Sequence, residues 1–351
     1  MNYRETAELV LNRLKNSAGD GRWDDHLSLA TWEWPQGVAL YAMLQELEAG
    51  GSPELFREIE SWYNRHLQNG LPSRNINTTA PMLGMVMLYE HTGNQALEPV
   101  IREWALWVMR ELPRTEEGGF QHITSDCLNP QQIWDDTLFM TVLFLYRAGA
   151  ALKQPEWQNE AKYQFLLHIK YLHCQKTGLW YHGWCFDGRH HFGEAFWARG
   201  NSWFTAGAVD FIQWLEKGDP VRRVVLETWQ EQCRALAALQ DSSGRWHTLL
   251  DDPGSYLETS ASAAIAYGLL KGCRLGLLPD SFRETAEHAV EGVLEQVGPD
   301  GTVGGVSYGT PMGMNLDFYR RIPLQPTAYG QGLAYLMLTE WSRYREALPA
   351  V

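Results

Sequence analysis

The sequence predicts an all-α protein of the (α/α)6 barrel type, in which six outer helices surround a ring of six inner helices. Three observations lead to this prediction. Apolar residues recur at helical spacing from end to end, as in Val290, Val293, Leu294 and Val297. Alternating apolar and polar runs, which are typical of strands, are scarce. Segments that are apolar on nearly every face, as buried helices are, alternate with amphipathic segments.

The predicted helices can be placed in order along the chain. The outer helices are expected at residues 4–16, 52–67, 95–112, 155–173, 220–239 and 280–297, and the inner helices at residues 32–48, 78–91, 136–150, 200–216, 258–272 and 327–343. Because each outer helix has one apolar face, it can cover one inner helix. The connections contain no Ser- and Pro-rich linker, so we expect residues 1–351 to form a single domain.

Composition excludes several classes of function. The chain of 351 residues is 45% hydrophobic and 20% charged, which is typical of a globular protein. It has no run of about 20 apolar residues that could span a membrane. Its net charge of −13 opposes binding to nucleic acid and to anionic membranes.

The cysteines and the N-terminus predict a cytoplasmic protein without a metal site. Five cysteines are scattered without a CxxC pair, and no histidines cluster at metal-ligand spacing, so we expect reduced thiols. Charges interleave with apolar residues over residues 1–16, unlike the apolar core of a secretory signal.

Two adjacent carboxylates, Asp135 and Asp136, begin an otherwise apolar inner helix. Either could be an N-cap that accepts hydrogen bonds from backbone N–H groups of the first turn. Beside Trp134 at the mouth of a barrel, such a carboxylate would be partly desolvated, and burial raises a carboxyl pKa towards the range that a general acid needs. The residues alone leave both interpretations open.

Further polar residues precede other predicted inner helices. His182 stands between aromatic residues and could hydrogen-bond a sugar, although a lone histidine is more often structural. Arg199 could bind a carboxylate through its fixed donor fork, or pair with one of the many acidic residues of the chain. Capping explains Asn77, Glu258 and their neighbours singly. If all six helix starts converge on one mouth, they form a polar pocket ringed with aromatic residues, as ligand sites commonly are.

The motifs WDDTLFM, YHGW, WARGNSW, YLETSAS, VSYGT and YGQG, in this order over nearly the whole chain, resemble glycoside hydrolase family 105. These are the unsaturated rhamnogalacturonyl hydrolases, relatives of the family 88 unsaturated glucuronyl hydrolases. The resemblance implies an (α/α)6 barrel, no metal or cofactor, and one carboxylic acid as the principal catalyst. The family's acid falls on Asp136, and Asp135 replaces a residue that is usually apolar. The family's substrate-binding His, Arg and Trp fall on His182, Arg199 and Trp203.

The resemblance also implies a substrate and a reaction. The substrate is a small oligosaccharide, left by a lyase, whose terminal uronic acid has a C4=C5 double bond. Asp136 would protonate C4 and deprotonate the water that adds at C5, unlike the two-carboxylate scheme of ordinary glycosidases. Arg199 is the candidate for binding the uronate carboxylate. The candidates for stacking on the sugar are Trp32, Trp34, Trp134 and Trp203.

The chain departs from the family at Asn77, where many relatives have an aspartate. An amide there could weaken acid catalysis or retune the pocket, while still hydrogen-bonding the sugar. A sugar-binding relative without activity therefore stays open. Two further alternatives are an unsaturated glucuronyl hydrolase acting on another polysaccharide and a sugar epimerase with the same barrel, although such epimerases rely on paired histidines and the predicted inner-helix starts carry Asp, Asn, Arg and Glu. A monomer and a homodimer are both compatible with the sequence.

Overall fold

The computed structural model describes residues 3–17, 27–48 and 50–348, and the rest of the predicted domain lies outside these ranges. Within them the chain forms thirteen α-helices. They are α1 (Tyr3–Lys15), α2 (Trp34–Glu48), α3 (Pro53–Asn69), α4 (Ile76–Thr92), α5 (Glu98–Arg110), α6 (Leu143–Ala151), α7 (Pro155–Leu172), α8 (Ala198–Trp214), α9 (Pro220–Ala238), α10 (Thr259–Arg274), α11 (Arg283–Leu294), α12 (Leu316–Arg320) and α13 (Ala328–Ala347). A π-helical segment, Leu138–Val142, leads directly into α6, and a short 3-10 helix, Asp280–Phe282, leads into α11.

The inner ring consists of α2, α4, α6 with its π-helical segment, α8, α10 and α13. Each of these helices packs against the next, and α13 closes the ring against α2. The outer helices α3, α5, α7, α9 and α11 pack against α2, α4, α6, α8 and α10 respectively, while α1 covers α13. The predicted (α/α)6 barrel is therefore confirmed. The short helix α12 and the π-helical segment were not predicted.

Burial explains why the two sets of helices differ in sequence. In α8 all residues from Ala198 to Ile212 are buried, whereas α3 buries a single face formed by Leu55, Ile59, Trp62 and Tyr63. An inner helix contacts neighbours on both sides and an outer helix behind it, so every face is apolar or small.

Two small antiparallel sheets lie just before inner helices. Strand β1 (Gln132–Trp134) pairs with β2 (Gly183–Cys185), and β3 (Trp246–His247) pairs with β4 (Leu257–Glu258). In the first sheet Trp134 lies opposite Gly183. This pairing ties the segment before the π-helical segment to the long connection before α8.

A buried ionic cluster lies deeper in the barrel. Lys271 forms an ion pair with Asp210, and the hydroxyl groups of Tyr41 and Tyr267 donate hydrogen bonds to the same carboxylate. Satisfying a buried charge in this way is necessary, because an unpaired buried charge destabilises the fold strongly. Among the described residues, no helix is both long enough and apolar enough to cross a bilayer.

Candidate active site

A cavity of about 590 Å³ opens where the inner helices begin. Its wall includes six residues at or just before helix starts: Trp34, Asn77, Trp134, Asp136, Trp197 and Arg199. The remainder of the wall comes mainly from two connections, residues 122–132 and 308–314. These residues come from the starts of α2, α4, the π-helical segment and α8. Glu258 at the start of α10 and the first residues of α13 do not line the cavity, so the expected convergence on one mouth is observed only in part.

Asp136 is the carboxylate most firmly held in this wall. Its Oδ1 accepts a hydrogen bond of 3.1 Å from Trp203 Nε1, and its Oδ2 lies 3.4 Å from His182 Nε2. The side chain retains 17% of its surface exposed, whereas that of His182 retains 1%. Asp136 therefore faces the cavity, while His182 and Trp203 lie behind it and fix the direction of its carboxyl group.

The position of His182 follows from the first sheet. The residue precedes β2, and its carbonyl accepts a hydrogen bond of 3.0 Å from the backbone N–H of Asp135. Its Nδ1 lies 2.7 Å from the hydroxyl of Tyr319, a residue of α12. With one ring nitrogen bound to this hydroxyl, the other nitrogen is directed to Asp136. Neither His182 nor Trp203 lines the cavity, and both contact Asp136, so their predicted contacts with the sugar stay a prediction.

The two adjacent carboxyl groups have opposite pKa shifts. Burial and the negative charge of Asp136 raise the pKa of Asp135 well above its usual range. For Asp136, burial also acts to raise the pKa, but the neighbouring His182 outweighs burial and lowers the pKa. The raised pKa that the sequence predicts for a carboxylate at this place is thus found at Asp135, whereas the pKa of Asp136 shifts in the opposite direction. These directions favour Asp135 as the group that holds the proton of the pair.

His122 is a site residue that sequence reasoning did not single out. Its ring stacks on Trp134 with centroids 4.2 Å apart, and its Nδ1 lies 2.8 Å from Thr137 Oγ1. Burial lowers its pKa to about 3, so the imidazole is neutral at physiological pH. The sequence feature that could have indicated His122 is the connection GGFQHITSD, which contains this histidine together with Gly and aromatic residues and precedes the Asp135–Asp136 pair.

Arg199 organises the loop that forms the opposite wall. Its terminal nitrogens donate to the carbonyl and hydroxyl of Ser307, to the carbonyl of Tyr308 and to the hydroxyl of Thr310. The guanidinium also lies 3.9 Å from the buried carboxylate of Glu258. Arg199 thus pairs with an acidic residue, as one interpretation predicted. Only 1% of its side chain is exposed where it borders the cavity, and its contact with a substrate carboxylate stays a prediction.

The four candidate stacking tryptophans separate into two pairs. Trp34 and Trp134 line the cavity. Trp203 is completely buried, and Trp32 is 5% exposed, stacks on Trp62 and donates from Nε1 to the carbonyl of Thr78. Trp32 is therefore a core residue, and its prediction as a sugar contact is corrected. The ring of Trp32 packs between α3 and the start of α4, and these contacts cover its aromatic surface.

Capping accounts for the polar residues near two other helix starts. Asn75 forms a capping box with Thr78 at the start of α4, which leaves Asn77 in the cavity wall. Glu258 caps α10 and also accepts a hydrogen bond of 2.8 Å from the N–H of Ser307. Through Glu258 and Arg199, the loop around Ser307 is thus attached to two inner helices.

The cavity wall also contains unusual backbone. Asn129 and Phe192 both line the cavity and have positive φ angles of 42° and 57°. Met140 lines it from within the π-helical segment. Such conformations concentrate at functional sites, where the surrounding contacts hold the backbone in place.

Asp135, Asp136 and His182 also form a group in which potential metal-binding atoms all lie within 4.8 Å of one another. Their contacts suit proton transfer better. Trp203 donates a hydrogen bond to Asp136, and the burial of Asp135 favours its neutral form, which is a poor metal ligand. We therefore treat the group as an acid/base cluster.

Known proteins resemble this chain in sequence and in fold. The sequence model of Glycosyl Hydrolase Family 88 matches residues 9–345. The chain belongs to this family of glycoside hydrolases. Its relatives place it in the related family 105, as the motifs indicated.

Three relatives illustrate the similarity of this family 105 hydrolase. The unsaturated rhamnogalacturonyl hydrolase YesR of Bacillus subtilis (strain 168) is 32% identical over 320 residues, which cover 90% of this chain and 91% of YesR. A possible family 105 member from Klebsiella pneumoniae is 44% identical, with a TM-score of 0.93 over 97% of this chain and 93% of that chain. The unsaturated glucuronyl hydrolase of Bacillus sp. GL1 shares the fold, with 18% identity and a TM-score of 0.72 over 97% and 96% of the two chains.

In this family 105 hydrolase, the residues matched to the family motifs come from separate segments and meet at one place. Asp136 follows β1, His182 precedes β2, and Arg199 and Trp203 belong to the first turns of α8. One surface of the cavity thus combines a carboxyl group with a guanidinium group. This arrangement can bind an anionic sugar and transfer a proton to it.

Proposed function

We propose that this hydrolase removes the terminal 4,5-unsaturated uronic acid from lyase-generated oligosaccharides, with unsaturated rhamnogalacturonan disaccharides as the preferred substrates. The observation that carries the proposal is the carboxyl group of Asp136, which faces the cavity while Trp203 and His182 hold its two oxygens. A group fixed in this way can deliver a proton to one atom of a bound ring.

The reaction needs only this one acid/base group. The C4=C5 bond of the substrate is conjugated to the carboxylate and bears the ring oxygen at C5. Protonation at C4 by Asp136 leaves a cation at C5 that the ring oxygen stabilises. Water then adds at C5 as Asp136 takes up one of its protons, and the resulting hemiketal opens and expels the rest of the oligosaccharide.

Arg199 supplies the positive charge for binding the uronate carboxylate. Because its terminal N–H groups already bind the loop of residues 307–310, we propose that the carboxylate lies against the guanidinium and replaces one of the loop acceptors. Trp34 and Trp134, which also line the cavity, provide apolar surface for the sugar ring.

The outer part of the cavity favours an uncharged leaving sugar. Its wall includes Thr124, Cys127, Met312 and Met314, together with the exposed carboxylate of Asp126. A sulfated or carboxylated leaving sugar would be repelled by Asp126, whereas a neutral deoxysugar would contact the methionine side chains. This favours rhamnogalacturonan products over sulfated glycosaminoglycan products, and agrees with the activity that the name of YesR gives.

A substrate panel tests the proposal. Hydration of the conjugated double bond removes its ultraviolet absorbance, so turnover can be followed directly on unsaturated disaccharides from rhamnogalacturonan, from glucuronan and from sulfated glycosaminoglycans. We expect the highest kcat/KM with the first. A preference for a sulfated disaccharide would support the glucuronyl hydrolase alternative. Binding without any loss of absorbance would indicate a sugar-binding relative that lacks activity.

A further inference from the structure

Asp135 is a buried carboxyl group that has no role in the reaction proposed above. None of its surface is exposed, and it does not line the cavity that Asp136 faces. Within the described residues, neither of its oxygens accepts a hydrogen bond from an N–H or O–H group of the protein outside the acidic pair. A carboxyl oxygen of the adjacent Asp136 lies within 4.8 Å of a carboxyl oxygen of Asp135. A buried carboxylate that lacked donors would be strongly destabilised, so this environment favours the neutral acid.

Backbone geometry holds Asp135 in this place. Its N–H donates to the carbonyl of His182 over 3.0 Å, and its carbonyl accepts from the N–H of Leu138 over 3.3 Å. On the other side lies Gly200 of α8, where an added Cβ atom would be in steric conflict with Asp135 Oδ2. Glycine at position 200 of α8 therefore leaves the space that the side chain of Asp135 occupies.

The charged and titratable groups around the pair favour a single shared proton. Asp136 is the adjacent anion, and His182, His122 and Tyr319 face the pair from the connection before β2, the connection before β1 and α12. The Nδ1 of His168 of α7 lies 2.8 Å from the carbonyl oxygen of Gln164, and burial lowers the pKa of this histidine to about 4, so it is neutral. Arg199, next to Gly200, donates hydrogen bonds to residues 307–310 and forms an ion pair with Glu258. Among these groups, none is a cation that donates to Asp135.

We propose that Asp135 is a positioning residue that stores the proton of the reaction and passes it to Asp136 when the sugar is bound. The proposal rests on the proposed function, since it assigns the source of the proton that reaches C4. Asp135 acts only through Asp136 and does not touch the substrate.

The proton balance is complete within the pair. At the start, Asp135 is protonated and Asp136 is ionised. The Asp135 proton moves to Asp136, and Asp136 transfers a proton to C4 as the π electrons of the C4=C5 bond form the new C–H bond. Both carboxyl groups are then ionised beside the cationic C5. Water adds at C5 and loses a proton to Asp136, which returns the pair to its single-proton state. The net change is the addition of one water molecule.

Two substitutions separate proton storage from packing. In Asp135→Asn the amide has nearly the same shape and can still donate a hydrogen bond to Asp136, but it has no transferable proton. In Asp135→Val both the hydrogen bond and the proton are lost. Asp187→Asn makes the same chemical change at an exposed position outside the cavity and serves as the control.

The pH dependence of kcat/KM on an unsaturated disaccharide is the main measurement. At neutral pH we expect kcat to fall at least about tenfold in Asp135→Asn, with KM changed less than about twofold, because the variant must use a proton of Asp136 alone. The alkaline limb should move to lower pH by about one unit or more, so that activity partly recovers in acid. Asp187→Asn should retain the wild-type profile. An unchanged alkaline limb in Asp135→Asn would overturn the proposal.

A measurement without substrate distinguishes failure of this inference from failure of the proposed function. Infrared spectroscopy of the protein at neutral pH should detect the carbonyl stretch of a protonated carboxylic acid, and this band should disappear in Asp135→Asn but remain in Asp187→Asn. If the band is present and wild-type enzyme hydrates none of the disaccharides, only the proposed function fails. If wild-type enzyme is active and the band is absent or persists in Asp135→Asn, the proton-storage proposal fails.

Discussion

Replacement of Asp136 by asparagine removes the only group that the proposed reaction uses to exchange protons with the substrate. The amide oxygen can still accept the 3.1 Å hydrogen bond from Trp203, so the side chain keeps its place in the cavity wall. A general acid or base contributes roughly 10²–10⁴-fold to one step. Because Asp136 serves in both protonation of C4 and deprotonation of water, we expect kcat to fall by at least about 10³-fold, and the residual rate to be close to background.

Binding and folding should change much less than kcat. The variant retains Arg199 and the aromatic cavity wall, so the dissociation constant for an unsaturated disaccharide, measured by calorimetry, should stay within about tenfold of the wild-type value, equivalent to about 1.4 kcal/mol. Thermal unfolding should remain a single transition. Turnover is followed by the loss of ultraviolet absorbance, with Asp187→Asn as a matched control. A variant that folds, binds and retains more than about a tenth of the wild-type kcat would refute the assignment of Asp136.

The remaining predictions concern the groups that hold this site and the barrel. Trp203→Phe removes a hydrogen bond to the Asp136 carboxylate, so kcat should fall about tenfold while KM stays nearly constant; an unchanged kcat would contradict its role. Arg199→Ala should raise KM by at least about tenfold, measured by initial rates, because it removes the charge in the cavity wall; an unchanged KM would place the uronate elsewhere. Lys271→Met leaves Asp210 without its ion pair and should lower the free energy of unfolding by about 3–5 kcal/mol in urea titrations, whereas a loss below about 1 kcal/mol would show that the two tyrosines suffice.

The sequence alone was sufficient for the fold and for the catalytic candidate. The twelve predicted helices are present in the described residues. They could be predicted because the spacing of apolar residues within each segment distinguishes a helix that is buried on all sides from a helix with one apolar face. Asp136 could be selected because its surrounding motif matches a family, whereas the place of the two acids at the start of an apolar helix is equally compatible with capping.

Only the tertiary structure decided what each side chain around Asp136 does. Trp32 and Trp203 look like sugar contacts in the sequence, yet packing places one in the core and the other behind the carboxyl group. His122 became visible as a site residue only when its ring was found stacked on Trp134.

The protonation of the acidic pair likewise could not be predicted from the sequence. Asp135 and Asp136 are neighbours of one residue type, and nothing local distinguishes their pKa values. The difference arises because His182 Nε2 lies 3.4 Å from Asp136, while Asp135 is buried against Gly200 and beside the charge of Asp136. His182 is itself positioned by Tyr319, 137 residues away in the chain. Helical periodicity is a property of consecutive residues, but the electrostatics of a site depend on groups that only folding brings together.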